Sequence, residues 1–333
     1  MKSILKSFAL LTLSSLLISC GTNVQKSSIV SYFNPSQPYV LSGGGEFSDY
    51  IVDFVNYSND LEKLGLKNAV KKVYYDTEIS SYEETFNKEG NLEKQYFSLF
   101  GGGNKVNFEY NEDGTLNRTY NAISGRIDGP MASFEYDGNK KALGNIARKN
   151  MKKSYMYQDN GNLYKVESSS NYSQRGWAYY TTCYLDMECD AQGNAARLKH
   201  YEFKPLIYGF SEAGWVEKTF QHNAKGQCVE SKGLIIPDTR RAANDSIQFC
   251  SNYSYNSDGH MSQWKYADKI FPSEKETVFE INFEYEYDVK GNWTKMILSG
   301  EGLHLLFSED SLTNDENGRT IYVLKRNIEY FDE

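Results

Sequence analysis

The chain has 333 residues, 24% charged and 40% hydrophobic, with 27 Tyr, 18 Phe and a net charge of −8. That acidic balance, with no clustered Lys/Arg stripe, argues against nucleic acid as a partner, because phosphate recognition needs concentrated positive charge.

Residues 1–19 read as a cleavable leader. Lys2 and Lys6 form a short basic region, an apolar run occupies 4–18, and Leu17-Ile18-Ser19-Cys20 closes it. The run is shorter than the ~20 residues a spanning helix needs, and small Ser19 stands where a peptidase cuts. The segment resembles a bacterial lipoprotein signal, which implies that Cys20 is acylated and becomes the mature N-terminus; the alternative is an ordinary secretory leader. Losing Lys2 and Lys6 leaves 34 basic against 44 acidic residues, a net −10. Two or three acyl chains hold a domain on a bilayer without a spanning helix. By analogy with known sorting, Gly21 after the Cys and the lack of acids over 21–26 point to the outer membrane, on its periplasmic side.

Residues 20–49 have the look of a tether, with Pro35, Pro38 and Gly43-Gly44-Gly45 and no sustained periodicity. Neither this triple glycine nor Gly101-Gly102-Gly103 precedes Gly-Lys-Ser/Thr, so both read as loops rather than phosphate cradles. A short helix is expected from Asn59 or Asp60 through Leu64, and strand-like sequence follows from Asn68 to Tyr82.

From there to the C-terminus one signal recurs. Its clearest copy is Tyr287-Asp288-Val289-Lys290-Gly291-Asn292, preceded by twelve residues of strict alternation in which Thr277, Phe279, Ile281, Phe283, Tyr285 and Tyr287 share a face. Period two is a strand pattern, and Asp followed three residues later by Gly is what a type I turn ending in a left-handed residue demands. Other copies begin at Phe86, Tyr110, Tyr136 (shortened), Tyr157, Cys189, His222, Tyr255 and Asn314. Their turn glycines are Gly90, Gly114, Gly161, Gly193, Gly226, Gly259, Gly291 and Gly318. Nine hairpins are therefore predicted. A lone hairpin is marginal, so neighbours must add edge to edge, and the aromatic face must be buried by coiling or closing the sheet.

The nine copies, the opening Leu66-Lys67-Asn68-Ala69-Val70-Lys71-Lys72-Val73, the Gly291-Asn292-Trp293-Thr294-Lys295 form and the terminal Arg326-Asn327-Ile328-Glu329-Tyr330 resemble the YD-repeat, or RHS-repeat-like, proteins. The resemblance is nearest to short lipoproteins of the Bacteroidetes and covers the chain from about Leu64 onward. It implies an all-β fold, an extended, coiled antiparallel sheet of about nine hairpins over residues 50–333, and no known activity. Cys189, His222 and Asn314 depart from the pattern by occupying the aromatic slot.

Little in the sequence points to catalysis. His200, His222, His260 and His304 are isolated, with no C-x-x-C, so no metal site and no cofactor are expected. No G-x-S-x-G elbow is present. A carboxylate pair cannot be picked from 44 acids; Glu280, Glu284 and Glu286 alternate on a solvated face, with Lys295 across the strand. Trp293 follows a repeat turn and reads as packing rather than as a sugar platform. Of Cys183, Cys189, Cys228 and Cys250, a Cys183–Cys189 bridge is disfavoured, since six extended residues separate their Cα atoms by about 20 Å. Cys189 reads equally as a small buried hydrophobe, and other pairings stay open.

The expected function is a lipid-anchored, non-catalytic interaction or scaffold module of the cell envelope, binding an envelope protein or glycan. The alternative is a carbohydrate-active or glycan-binding accessory on the same anchor. With the motif turns at one rim, long links are expected at the other, over 121–132, 204–214, 234–246 and 266–277, and binding is placed there, at Arg240 and Arg241.

Overall fold

The computed structural model describes residues 59–332 apart from 77–79, 100–101, 124–125, 140–141, 148–150, 160, 162, 175–176, 207–208, 237–245 and 308. A short helix, α1 (Asp60–Lys63), opens it as expected, with Asn59 as N-cap accepting from Glu62 N. The strands come next. They are β1 (Val70–Asp76), β2 (Ser80–Phe86), β3 (Leu92–Leu99), β4 (Gly102–Tyr110), β5 (Leu116–Ile123), β6 (Arg126–Tyr136), β7 (Ala142–Ala147), β8 (Met151–Tyr157), β9 (Leu163–Gln174) and β10 (Trp177–Cys189). Then follow β11 (Ala195–Leu206), β12 (Gly209–His222), β13 (Cys228–Ile236), β14 (Ser246–Tyr255), β15 (Met261–Phe271), β16 (Lys275–Tyr287), β17 (Trp293–Ser299), helix α2 (Leu303–Leu306), β18 (Thr313–Asn314) and β19 (Thr320–Tyr330).

Every pairing is antiparallel, so the all-β hairpin architecture holds. The sheet is closed, however, rather than an open coil. β1 pairs with β2 on one side and β19 on the other, and β19 pairs with β17, so eighteen strands form a ring that β18 only decorates. Closure gives the two terminal strands partners and removes the exposed edges an open sheet would carry. Local periodicity is silent on which distant strands meet.

Alternation decides what faces inward. On β16, Phe279, Ile281 and Phe283 are buried while Glu276, Val278, Glu284 and Glu286 are exposed. The same register carries Trp264 and Tyr266 of β15, Phe249 and Tyr253 of β14 and Leu324 of β19 into one core. Trp264 and Tyr266 pack on Phe279 with ring centroids 5.0 and 4.9 Å apart. Leu61, Leu64 and Leu66 from the α1 segment join the core.

Strand direction places the first eight motif turns at one rim. The ninth is an exception and corrects the expectation of a uniform array. β17 runs away from that rim and pairs its end, Ser299, with Ile321, so the turn at Asp315 to Gly318 lies at the opposite, linking rim. Between them the chain bends at Gly300 (φ 136°) and puts Leu303 and Phe307 into the core, Phe307 stacking on Tyr322 at 3.9 Å. Three of the four expected long links are also absent. β5 and β6 are separated only by 124–125, β11 and β12 by 207–208, and β15 and β16 by 272–274. The variation in repeat length is taken up by ring strands of 6 to 14 residues, because added alternating residues extend a ladder more favourably than they extend a loop.

Candidate functional site

The turn residues come first, since the repeats are built on them. Gly90, Gly114, Gly161, Gly193, Gly226, Gly259, Gly291 and Gly318 all have φ between 75° and 87°, the left-handed conformation the signal predicts. Gly138, in the shortened copy, does not. In the clearest copy, Asp288 Oδ1 accepts from Lys290 N (3.0 Å) and Asn292 N (2.9 Å), while Gly291 N bonds Asp288 O. The same double acceptance recurs at Asp190, Asn223, Asn256 and Asp315. These side chains are committed to the backbone.

The turns are also bonded to one another. The residue after the glycine reaches towards the next turn: Gln227 Nε2 donates to Gly259 O (2.8 Å), and His260 Nδ1 meets the Tyr287 hydroxyl (2.8 Å). Asn292 ends this series by gripping the entering chain, donating to Lys67 O and accepting from Lys67 N (2.8 and 2.7 Å). Aromatic hydroxyls tie units together one level down, with Tyr110 donating to Leu92 O, Tyr255 to Cys228 O and Tyr285 to Met261 O. Burial pushes the His260 imidazole down to about 4, so it stays neutral near pH 7 and acts as a hydrogen-bond partner, not a cation.

Where β19 meets β1 the interior is polar. Arg326 lies 3.7 Å from the Trp293 ring centroid, donates through Nε to Trp293 O (2.6 Å), and reaches Tyr75 OH at 3.5 Å. Glu84, on the far side of β1, accepts from Tyr82 OH (2.9 Å) and Gln95 Nε2 (3.2 Å). Burial pushes its carboxyl up to about 7. Arg326 and Glu84 are 2% and 1% exposed, so this cluster belongs to the closure and offers no open surface.

The outward face is of opposite character. Cross-strand and same-strand ion pairs recur around the ring: Lys72–Glu83, Arg118–Glu109, Lys165–Glu167, Arg197–Glu217, Lys265–Glu280 and the expected Lys295–Glu286, at 2.6 Å. On this wall, across β12 to β16, lies a shallow trough of about 700 Å³. Two neighbouring rows of outward side chains bound it. One is Glu217, Leu234, Gln248, Lys269 and Glu276; the other is Thr219, Lys232, Cys250, Ala267 and Val278. Its floor is the backbone of Lys218, Gly233, Phe249 and Asp268, whose side chains, where present, point inward. Gly233 is required there, since a Cβ would stand 2.5 Å from both Glu217 O and the Phe249 ring.

The trough's outward side chains are carboxylates, ammonium groups, an amide, a hydroxyl, a thiol and small apolar groups. Its carboxylates, Glu217 and Glu276, sit four strand spacings apart, about 19 Å, far beyond the ~5–9.5 Å that glycoside hydrolysis uses. No outward aromatic lines it. Among the described residues no group of three His, Cys, Asp or Glu is placed to hold a metal. Cys189, Cys228 and Cys250 are free; Cys228 is buried in the core and Cys250 lines the outer wall. Trp264 and Trp293, each 1% exposed, are packing residues. Cys20, Arg240 and Arg241 lie outside the described residues. Sequence reading missed the trough, whose rows are brought together only by register across five strands; its local signals are Gly233 and Ala267 within strands.

No family model matches the chain. No curated protein matches it either. Among solved structures it is similar to a porin-like protein from Bacteroides vulgatus (8% identity, TM-score 0.41, 79% of this chain and 99% of that one). It is also similar to a porin-like protein from Bacteroides uniformis (10% identity, TM-score 0.38, 79% and 99%). A third likeness is to TcdB2-TccC3 (11% identity, TM-score 0.37), of which this chain, over 75% of its length, spans 15%. At these identities and scores the likenesses assign neither a family nor an activity.

Proposed function

We propose that this chain is a non-catalytic interaction module of the cell envelope, carried on a lipid at Cys20 as in the YD-repeat-like lipoproteins it resembles, at the outer membrane and on its periplasmic side. The observation that carries the reading is the sense of the barrel: aromatic and aliphatic side chains fill the inside, and Lys–Glu and Arg–Glu pairs cover the outside. A membrane-spanning barrel has the reverse pattern, an apolar outer band around a polar lumen. A wall of paired charges belongs in water, and closure leaves the eighteen ring strands no edge for β-augmentation. Partners must therefore meet side chains of the wall or the rims. Residues 59–68 contact the turns at Gly90 and Gly291, so the chain enters at the motif rim, which supports a tether holding that rim towards the membrane.

The test uses the full chain in its own envelope. Cys20→Ser is expected to abolish incorporation of labelled fatty acid and to release the protein from membranes. Cross-linking in intact cells is expected to recover the same envelope component from wild type repeatedly. Turnover in a panel of glycosidase and esterase substrates would overturn the non-catalytic reading, and acylation of the Cys20→Ser chain would overturn the anchor.

A further inference from the structure

Hydrogen bonding at the closure leaves three buried polar atoms over. Arg326, stacked on Trp293, bonds Trp293 O through Nε and Tyr75 OH through Nη1, both neutral acceptors, while its Nη2 has no partner. Trp293 Nε1 and Glu84 Oε2 have none either, and all three residues are 2% exposed or less. Among the described residues no carboxylate stands within ion-pair distance of Arg326. A fully buried cation is costly to hold without a counter-charge. Glu84 does not supply one near neutral pH, because burial keeps its carboxyl protonated up to about 7. Its Oε1 already accepts from Tyr82 OH and Gln95 Nε2, which leaves the proton of the neutral acid on Oε2. Asp60, the other acid near Glu84, accepts from Leu92 N and Tyr110 OH. The three atoms left over are therefore all donors, beside one uncompensated positive charge.

We propose that the closure binds a small monovalent inorganic anion of the halide class, held by Arg326 Nη2 and Trp293 Nε1 in the enclosed interior that Glu84 also lines. The donors select an acceptor, and the guanidinium selects a negative one. A water molecule accepts from the same N–H groups but leaves the charge uncompensated. Enclosure sets the size: the site is reached only by local opening of the ring, which admits a bare ion and excludes an organic acid. The anion would thus complete the polar joint between β17, β19 and β1, the point at which the last strands meet the first.

The probe is bromide, with gluconate holding the ionic strength constant. At about pH 6 the melting temperature of the purified full chain is expected to rise saturably, by about 3 °C or more at about 0.3 M bromide, because a ligand of the folded state alone stabilises it. Trp293→Phe keeps a ring under the guanidinium and removes the indole N–H, so the rise should fall to half or less. Arg326→Gln should abolish it. Glu84→Gln, which keeps a donor beside an uncharged group, should retain it. In crystals grown with bromide, an anomalous peak is expected within hydrogen-bond reach of Arg326 Nη2. Equal melting in bromide and gluconate would overturn the proposal, as would an undiminished rise in Trp293→Phe or water alone at Arg326 Nη2. A rise seen in Glu84→Gln but not in wild type would show that the Glu84 carboxylate is itself the counter-charge, and would overturn it equally. The bromide peak is read from wild type, so the test does not depend on Arg326→Gln folding.

Discussion

The two ends of the barrel are built by different rules. At the motif rim, the repeat turns bond their own backbones with Asp or Asn, and through Gln227 and His260 two of them reach the next turn before Asn292 fastens the entering chain at Lys67. At the linking rim most connections are short, and the long one among the described residues, 300–319, folds Leu303 and Phe307 inward. Repetition in the sequence thus marks what holds the ring together. The wall between the rims, by contrast, carries ion pairs and no repeated motif.

The largest expected effect is at the closure. Trp293→Ala removes an indole that carries Arg326 and packs against Tyr75, and should cost about 3–5 kcal/mol in chemical denaturation. A smaller loss would show that β17 and β19 are not packed through it. Next comes the slot after the glycine. Asn292→Ala leaves Lys67 N and Lys67 O without their partner, removes the donor to a Tyr330 hydroxyl that still bonds Asp288, and should cost about 2–4 kcal/mol. Asn194→Ala, in the same slot, loses only the side-chain bonds from Nδ2 to the Asp190 carboxylate of its own turn and should cost about 1 kcal/mol or less. Equal losses would deny that Asn292 closes the ring.

Turn geometry predicts a smaller difference. Gly291→Val puts a β-branched residue at φ 80° and should cost at least about 1–2 kcal/mol, whereas Lys290→Ala, losing a cation 4.7 Å above the Tyr330 ring, should cost about 0.5–1 kcal/mol. Matching melting temperatures would refute the left-handed turn.

Acidity tests the closure from inside. The Glu84 carboxyl is raised to about 7 by burial, against an ordinary value of 4.5, so the folded chain binds its proton more tightly than the unfolded one. Its contribution is full below about 4.5 and is lost as pH rises towards and through 7. Glu84→Gln keeps the neutral shape, so the stability of the variant relative to wild type should increase across that window. Taking the difference removes the opposite trend from His260, whose depressed value makes stability rise over about 4 to 6.5. A flat difference would mean that Glu84 is ionised in the folded state throughout.

Much of this architecture was legible because its signals are local. Alternation over 277–287 assigns the inward face of β16, and Asp288 with Gly291 assigns its turn, from adjacent residues. The helix at Asp60 was readable from its cap for the same reason. The β1–β19 pairing was not, since the partners are some 250 residues apart and neither strand carries a mark of the other. Nor was the placement of the ninth turn, where Asn314 to Arg319 has the local signature but Gly300 redirects the chain before it. The trough depends on register summed over five strands, so Lys232 and Lys269 look like any surface lysines in the sequence. The expectation of binding at Arg240 and Arg241 rests on a link, 237–245, that lies outside the described residues.

Closure of the ring is the claim on which the rest depends, and hydrogen exchange measured by mass spectrometry on the intact protein tests it most directly. A closed barrel leaves neither terminal strand with a free edge, so the amides of Val70–Asp76 and Thr320–Tyr330 should be protected to the same order as those of Lys275–Tyr287. Exchange at loop rates in alternate amides of β1 or β19 would show an open sheet and contradict the account.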